Sequence, residues 1–111
     1  MEMAKVLVSR LSKEGYETIV ACEGVQGIAF AHKQKPDLII LDMKIPAGDG
    51  LYVLKNLKQS VHTGLIPVVV FTSHNDEEMK RKVMEIGVEA YLDKSCEAET
   101  LLKAIHDLLH E

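Results

Sequence analysis

The stretch Pro36-Asp37-Leu38-Ile39-Ile40-Leu41-Asp42-Met43-Lys44-Ile45-Pro46-Ala47-Gly48-Asp49-Gly50 constrains this chain more than any other. Four consecutive apolar residues, Leu38 to Leu41, lie between a proline and a Pro/Gly-rich loop. This is the pattern of a short strand covered on both faces, as the central strands of parallel sheets are. Asp42 then falls at the carboxyl end of the strand. In open α/β sheets that edge is where ligands bind, because the loops leaving the strand ends diverge there. Asp42 is therefore a candidate functional acid. The plainer reading is an aspartate that begins a turn through side-chain hydrogen bonds to its own backbone.

A chain of 111 residues has room for one domain, spanning 1–111. With 47% hydrophobic residues, it can bury an ordinary core, and no apolar run reaches the length of a membrane span. The amino-terminal residues lack the apolar segment of a secretory signal, so the expected compartment is the cytoplasm. Cys22 and Cys96 are far apart with no metal-binding spacing, as free thiols would be. A formal charge of -4 is the wrong sign for neutralising phosphates, so direct nucleic-acid binding and membrane association are not expected.

Met3, Val6, Leu7 and Leu11 follow helical spacing, giving a helix over about Glu2–Glu14 that stops at Gly15. Lys5-Val6-Leu7-Val8 could instead be a strand, but the remaining residues before Glu17 are too few for a parallel crossover. Glu17-Thr18-Ile19-Val20-Ala21 is β-branched and predicts a strand, followed by a helix over Val25–Gln34. Leu51, Leu54 and Leu57 predict a third helix over Leu51–Gln59. Pro67 to Thr72 forms a second apolar strand. Asn75 and Glu78 then resemble a capping box before the stripe Met79, Val83 and Ile86, which Gly87 closes. Ala90 to Asp93 makes the last strand, and Leu101, Leu102, Ile105, Leu108 and Leu109 define an amphipathic carboxyl-terminal helix.

The order α(βα)4 implies right-handed crossovers and a doubly wound parallel sheet with helices on both faces. The carboxyl ends of three strands then present Asp42, Thr72 and Lys94 along one edge. A carboxylate, a hydroxyl and an ammonium suit a phosphoryl group: a nucleophile, a hydrogen-bond donor and a compensating cation. An Asp42–Lys94 ion pair that only steadies the loops is the competing reading.

With these residues in place the chain resembles the receiver domain of two-component response regulators. Lys13-Glu14-Gly15-Tyr16-Glu17, Lys35 to Asp42, Pro46 to Gly50, Thr72 and Lys94 carry the resemblance over essentially the whole chain. It implies a flavodoxin-like fold and a signalling module that is not an enzyme. It further implies phosphorylation of Asp42 by a histidine kinase, contact of Lys94 with the phosphoryl group, and a Thr72–Tyr91 switch pair acting on a downstream protein target. In that family Mg²⁺ is held by the phosphoacceptor, a loop carbonyl, here that of Lys44, and a pair of acids ending an initial strand. No such strand or acid pair is visible in this sequence, so 1–111 is expected to be a receiver domain truncated at its amino-terminal side, with four strands and weak Mg²⁺ binding through Asp42 and Lys44. A pseudo-receiver that binds partners without phosphorylation is the alternative. Either Glu17–Ala21 pairs directly with Asp37–Leu41, or another chain fills the gap, or an exposed strand edge supports homo-oligomers. Ser95 replaces the family's usual proline, predicting a trans Lys94–Ser95 bond. Lys44 either leans toward Asp42 or is a solvated loop lysine. His106 and His110 share a helix face but lack a third metal ligand, and neither they nor His74 are given a role.

Overall fold

The structure, a computed structural model, describes residues 2–21, 23–43, 50–73 and 77–110, with residues 2–5 described through their backbone only. Five helices, α1 (Glu2–Lys13), α2 (Gly24–Gln34), α3 (Gly50–Gln59), α4 (Glu77–Ile86) and α5 (Ala98–Leu109), alternate with three described strands. These are β1 (Ile39–Leu41), β2 (Val68–Thr72) and β3 (Ala90–Asp93), in the order β1-β2-β3, all parallel. Helix ends follow the turn chemistry of the sequence at Gly15 and Gly87, whose φ values of 93° and 102° suit a residue with no Cβ. Lys35 departs from that rule: it caps α2 at φ 48° and donates its N–H to the Ala31 carbonyl.

The period of two along each strand divides the core into two layers. Val68 and Val70 pack with Leu41, Ala31, Val53, Leu54, Leu57 and Val83 on the face covered by α2, α3 and α4. Val69 and Phe71 pack with Leu11, Leu101 and Ile105 on the face covered by α1 and α5. Helices on both faces of a parallel sheet make the doubly wound α/β arrangement that the alternating elements predict. β2 is the strand at its centre, buried at all five positions.

Two expectations need correction. Glu17–Ala21 forms no ladder, and no backbone hydrogen bond joins it to β1 among the described residues, so the described sheet has three strands and not four. Ile39–Leu41 is accordingly an edge strand and not a central one, with Ile39 and Ile40 only partly buried. Between the two segments lies a cavity of about 730 Å³, lined by Ile19, Val20 and Ala21 and by Ile39, Ile40 and Leu41. Ladder hydrogen bonds need strands about 4.7–4.9 Å apart, and the two segments line this space without pairing across it. The Asn75 capping box, Lys44 and His74 lie outside the described residues.

Candidate functional site

Asp42 follows the last residue of β1, Thr72 ends β2, and Lys94 follows the last residue of β3, so parallel register brings all three to one edge. The ladder continues one step past β3, where the Lys94 N–H donates to the Thr72 carbonyl at 3.1 Å. That bond fixes the lysine beside the end of β2. Its Nζ reaches one carboxylate oxygen of Asp42 at 2.6 Å, while the Thr72 hydroxyl donates to the other at 2.9 Å. Thr72 is fully buried, whereas the Asp42 and Lys94 side chains keep 29% and 24% of their surface. The carboxylate is therefore held from both sides yet open to a reactant. Such charge-assisted contacts are stronger than neutral ones and fix the group's direction.

The start of α3 lies close against the residue that follows Asp42. A Cβ on Gly50 would lie 2.6 Å from both Cα and the carbonyl oxygen of buried Met43, so only glycine lets α3 begin there. The spacing of Gly50 from Asp42 was legible in the sequence, but this contact was not. Tyr91 sits on β3 opposite Val70, partly buried against the α2–α4 core layer, with the Lys80 ammonium of α4 5.6 Å from its ring centre. The Lys94–Ser95 bond is trans, as Ser95 predicts, since no described peptide bond is cis.

A second polar group at the opposite edge escaped sequence reasoning. The Glu89 carboxylate accepts the Val68 N–H at 2.7 Å and the Lys58 ammonium at 3.0 Å, and Lys58 also donates to the Ile66 carbonyl at 3.2 Å. It pins α3 and the turn after α4 to the start of β2. Partners 31 residues apart in a loop and a helix leave no local signal. His106 and His110 do approach, with ring centres 4.4 Å apart, but no cluster of three metal-ligating side chains occurs among the described residues.

At the Asp42 edge the described residues offer Mg²⁺ one carboxylate, already engaged by Lys94 and Thr72. That donor set does not by itself make a divalent-cation site, since Mg²⁺ demands octahedral oxygen ligation. Lys44, the other expected contributor, is outside the described residues.

Comparison with known proteins gives this edge its context. Residues 1–106 match the family model described as the response regulator receiver domain. The chain is 34% identical over 108 residues to protein PilH of Pseudomonas aeruginosa, covering 97% of this chain and 88% of that protein. It is likewise 34% identical over 98 residues to sporulation initiation phosphotransferase F of Bacillus subtilis, covering 88% of this chain and 77% of that protein. Among solved structures, the receiver domain of sensor histidine kinase PA1611 from Pseudomonas aeruginosa, with magnesium in its active-site cleft, superimposes with a TM-score of 0.84. That match covers 99% of this chain and 88% of the other at 18% identity, a likeness of fold. With the flavodoxin-like α/β fold, the family model and the relatives in agreement, this chain belongs to the response regulator receiver domain family of two-component signalling.

Proposed function

We propose that the chain is a phosphoacceptor module in which Asp42 takes a phosphoryl group from a histidine kinase and signals through a protein partner. The observation that carries this reading is the double engagement of the Asp42 carboxylate by the Thr72 hydroxyl and the Lys94 ammonium. In the step, an Asp42 oxygen attacks phosphorus, the phosphorus–nitrogen bond of the phosphohistidine breaks, and its electron pair returns to the imidazole, which takes up a proton. The product is an acyl phosphate. Negative charge accumulates on the transferred oxygens, which a cation and a hydroxyl can stabilise in place. Lys94 and Thr72 already stand within hydrogen-bonding distance of the carboxylate and need only shift from it to the new phosphoryl oxygens.

Signalling then follows from that shift. Thr72 is fully buried at the end of the central strand, so moving its hydroxyl disturbs packed neighbours. Tyr91 and Lys80, on β3 and α4, are placed to pass the change to the α4–β3–α5 surface where a target protein would dock. No described helix is long and apolar enough to cross a membrane.

The test is mass spectrometry after incubation with a small phosphodonor and Mg²⁺, with Asp42→Asn as control. Addition of one phosphoryl group to the natural chain and none to the variant is expected. With so few described ligands for the ion, labelling is expected to be slow and to need Mg²⁺ well above the level that saturates a site with several carboxylates. Absence of labelling at any Mg²⁺ concentration would overturn the reading and leave a module that binds partners without phosphorylation.

A further inference from the structure

The last turn of α5 carries two histidines that the phosphoacceptor edge does not use. His106 and His110 have the i, i+4 spacing that sets two side chains one above the other on a helix face. The spacing holds although α5 ends at Leu109, because the His110 N–H still donates to the His106 carbonyl at 2.9 Å. The backbone therefore places both imidazoles before any ligand arrives, and less ordering remains to oppose binding.

The ring separation is that of two imidazoles on one cation. A metal–nitrogen bond of about 2.0–2.1 Å puts the metal about 3.2 Å from each ring centre. Two such ring centres then stand roughly 4.5 Å apart at a right angle and roughly 5.2 Å apart at the tetrahedral angle. The centres of His106 and His110 are 4.4 Å apart, close to the right-angle value, with the ring planes inclined at 32°. His32 and His62 also approach, but their 6.1 Å exceeds both values.

The surroundings suit a positive ion. One oxygen of Asp107 accepts from the Lys103 Nζ at 2.8 Å, and the other stands 3.9 Å from Nδ1 of His106. A carboxylate behind a ligating histidine orients the ring and leaves the far nitrogen, Nε2, for the metal. The carbonyl end of a helix adds a negative potential of its own. The His106 side chain is 66% exposed and His110 is exposed, so a cation can reach both rings and keep water in its remaining positions.

We propose that His106 and His110 form a two-imidazole site for a divalent transition-metal cation that prefers nitrogen, Ni²⁺, Cu²⁺ or Zn²⁺, with water at the open positions. Imidazole suits these ions, whereas Mg²⁺ keeps to oxygen. The site is separate from Asp42. α5 starts at Ala98, just after Lys94 at the phosphoacceptor edge, and at about 1.5 Å per residue the two histidines lie roughly 12–18 Å farther along the helix. A cation bound to both rings ties the last turn together and favours the folded helix end.

The test titrates the untagged full chain with Ni²⁺, which binds imidazole without oxidising thiols, and follows it by calorimetry and amide NMR. One cation per chain is expected, with paramagnetic broadening centred on residues 103–110. His106→Gln and His110→Gln are each expected to weaken binding by about tenfold or more, since the second ligand of a pair binds intramolecularly. Both replace exposed side chains, and an unchanged melting temperature without metal checks that each variant folds. His32→Gln should bind Ni²⁺ as the natural chain does. Mg²⁺ at the same concentration should leave the amides of residues 103–110 unshifted. No phosphodonor is needed, so the outcome is independent of phosphorylation at Asp42. The proposal is overturned by the absence of saturable Ni²⁺ binding, by broadening centred on another histidine or on Asp42, or by either α5 variant binding as tightly as the natural chain. One cation per two chains would also overturn it, since the ion would then lie between copies and not on one helix.

Discussion

The two edges of β1 and β2 differ in a way that explains the molecule. β2 is paired on both sides and has no position with more than 7% of its surface exposed. β1 is paired on one side among the described residues, three residues long, and fully buried only at Leu41. Both runs are rich in β-branched residues, so intrinsic preference does not separate them. Neighbours do. A strand's stability comes from cross-strand and face-to-face packing, and among the described residues β1 has a cross-strand neighbour on one side only. Yet the site straddles the two: Asp42 hangs from the weak strand, while Thr72 ends the buried one and, with Lys94 after β3, holds the carboxylate in place.

The sharpest way to break this comparison is to truncate one aliphatic side chain in each half. Leu54 packs without exposure in the α2–α4 layer against β2. Leu54→Ala is expected to cost about 2–5 kcal/mol, as buried leucine truncations do. Ile19→Ala, at a side chain 53% exposed beside the cavity, is expected to cost under about 0.5 kcal/mol, the range of surface substitutions. Urea denaturation of both variants checks the pair. Similar losses would mean that the Glu17–Ala21 side is as well packed as the centre.

A smaller effect probes the junction between the halves, where the chain leaves β1 and enters α3. Gly50→Ala would put a methyl group 2.6 Å from the Met43 backbone, which cannot move aside as a flexible side chain could. Overpacking of that kind costs about 1–3 kcal/mol. Because Met43 follows Asp42 directly, the substitution should also slow phosphoryl transfer to Asp42 while Thr72 and β3 stay in register. Equal melting temperatures for the variant and the natural chain would show that the approach is looser than 2.6 Å implies.

The parts of the fold legible in the sequence were those fixed by local pattern. Helix stripes such as Met79, Val83 and Ile86, the strands at Val68–Thr72 and Ala90–Asp93, and the stops at Gly15 and Gly87 all follow from periodicity and turn chemistry. The meeting of Asp42, Thr72 and Lys94 was legible too, because parallel strands align their carboxyl ends. Glu17–Ala21 misled for a physical reason: a β-branched run states a preference, but a strand exists only where a neighbouring backbone lies within hydrogen-bonding distance. Its sequence carries no record of whether that neighbour is present. The Glu89–Lys58 group was illegible for a similar reason, since its partners meet only after three elements have packed.

That group also gives the smallest and most specific prediction, on the strong half of the sheet. Burial raises the Glu89 pKa, but the Val68 N–H and then the hydrogen bond and charge of Lys58 outweigh it and leave the pKa below its ordinary 4.5. A depressed carboxyl pKa means that the folded state favours the ionised form. Its stabilisation is complete above pH 4.5 and is lost as the pH falls through the lower, folded value. Glu89→Gln keeps an acceptor for the Val68 N–H and removes only the charge. The Glu89 side chain is 37% exposed, so solvent screens the pair and the cost near neutral pH should stay below about 1 kcal/mol. Thermal melts of both proteins across the acid range should show the natural chain ahead near neutrality and the gap closing below pH 4.5. A gap that holds constant into strong acid would assign the effect to side-chain shape and not to charge. An equal gap in Lys58→Met, closing over the same pH range, would confirm that the lysine is the partner that the carboxylate answers to.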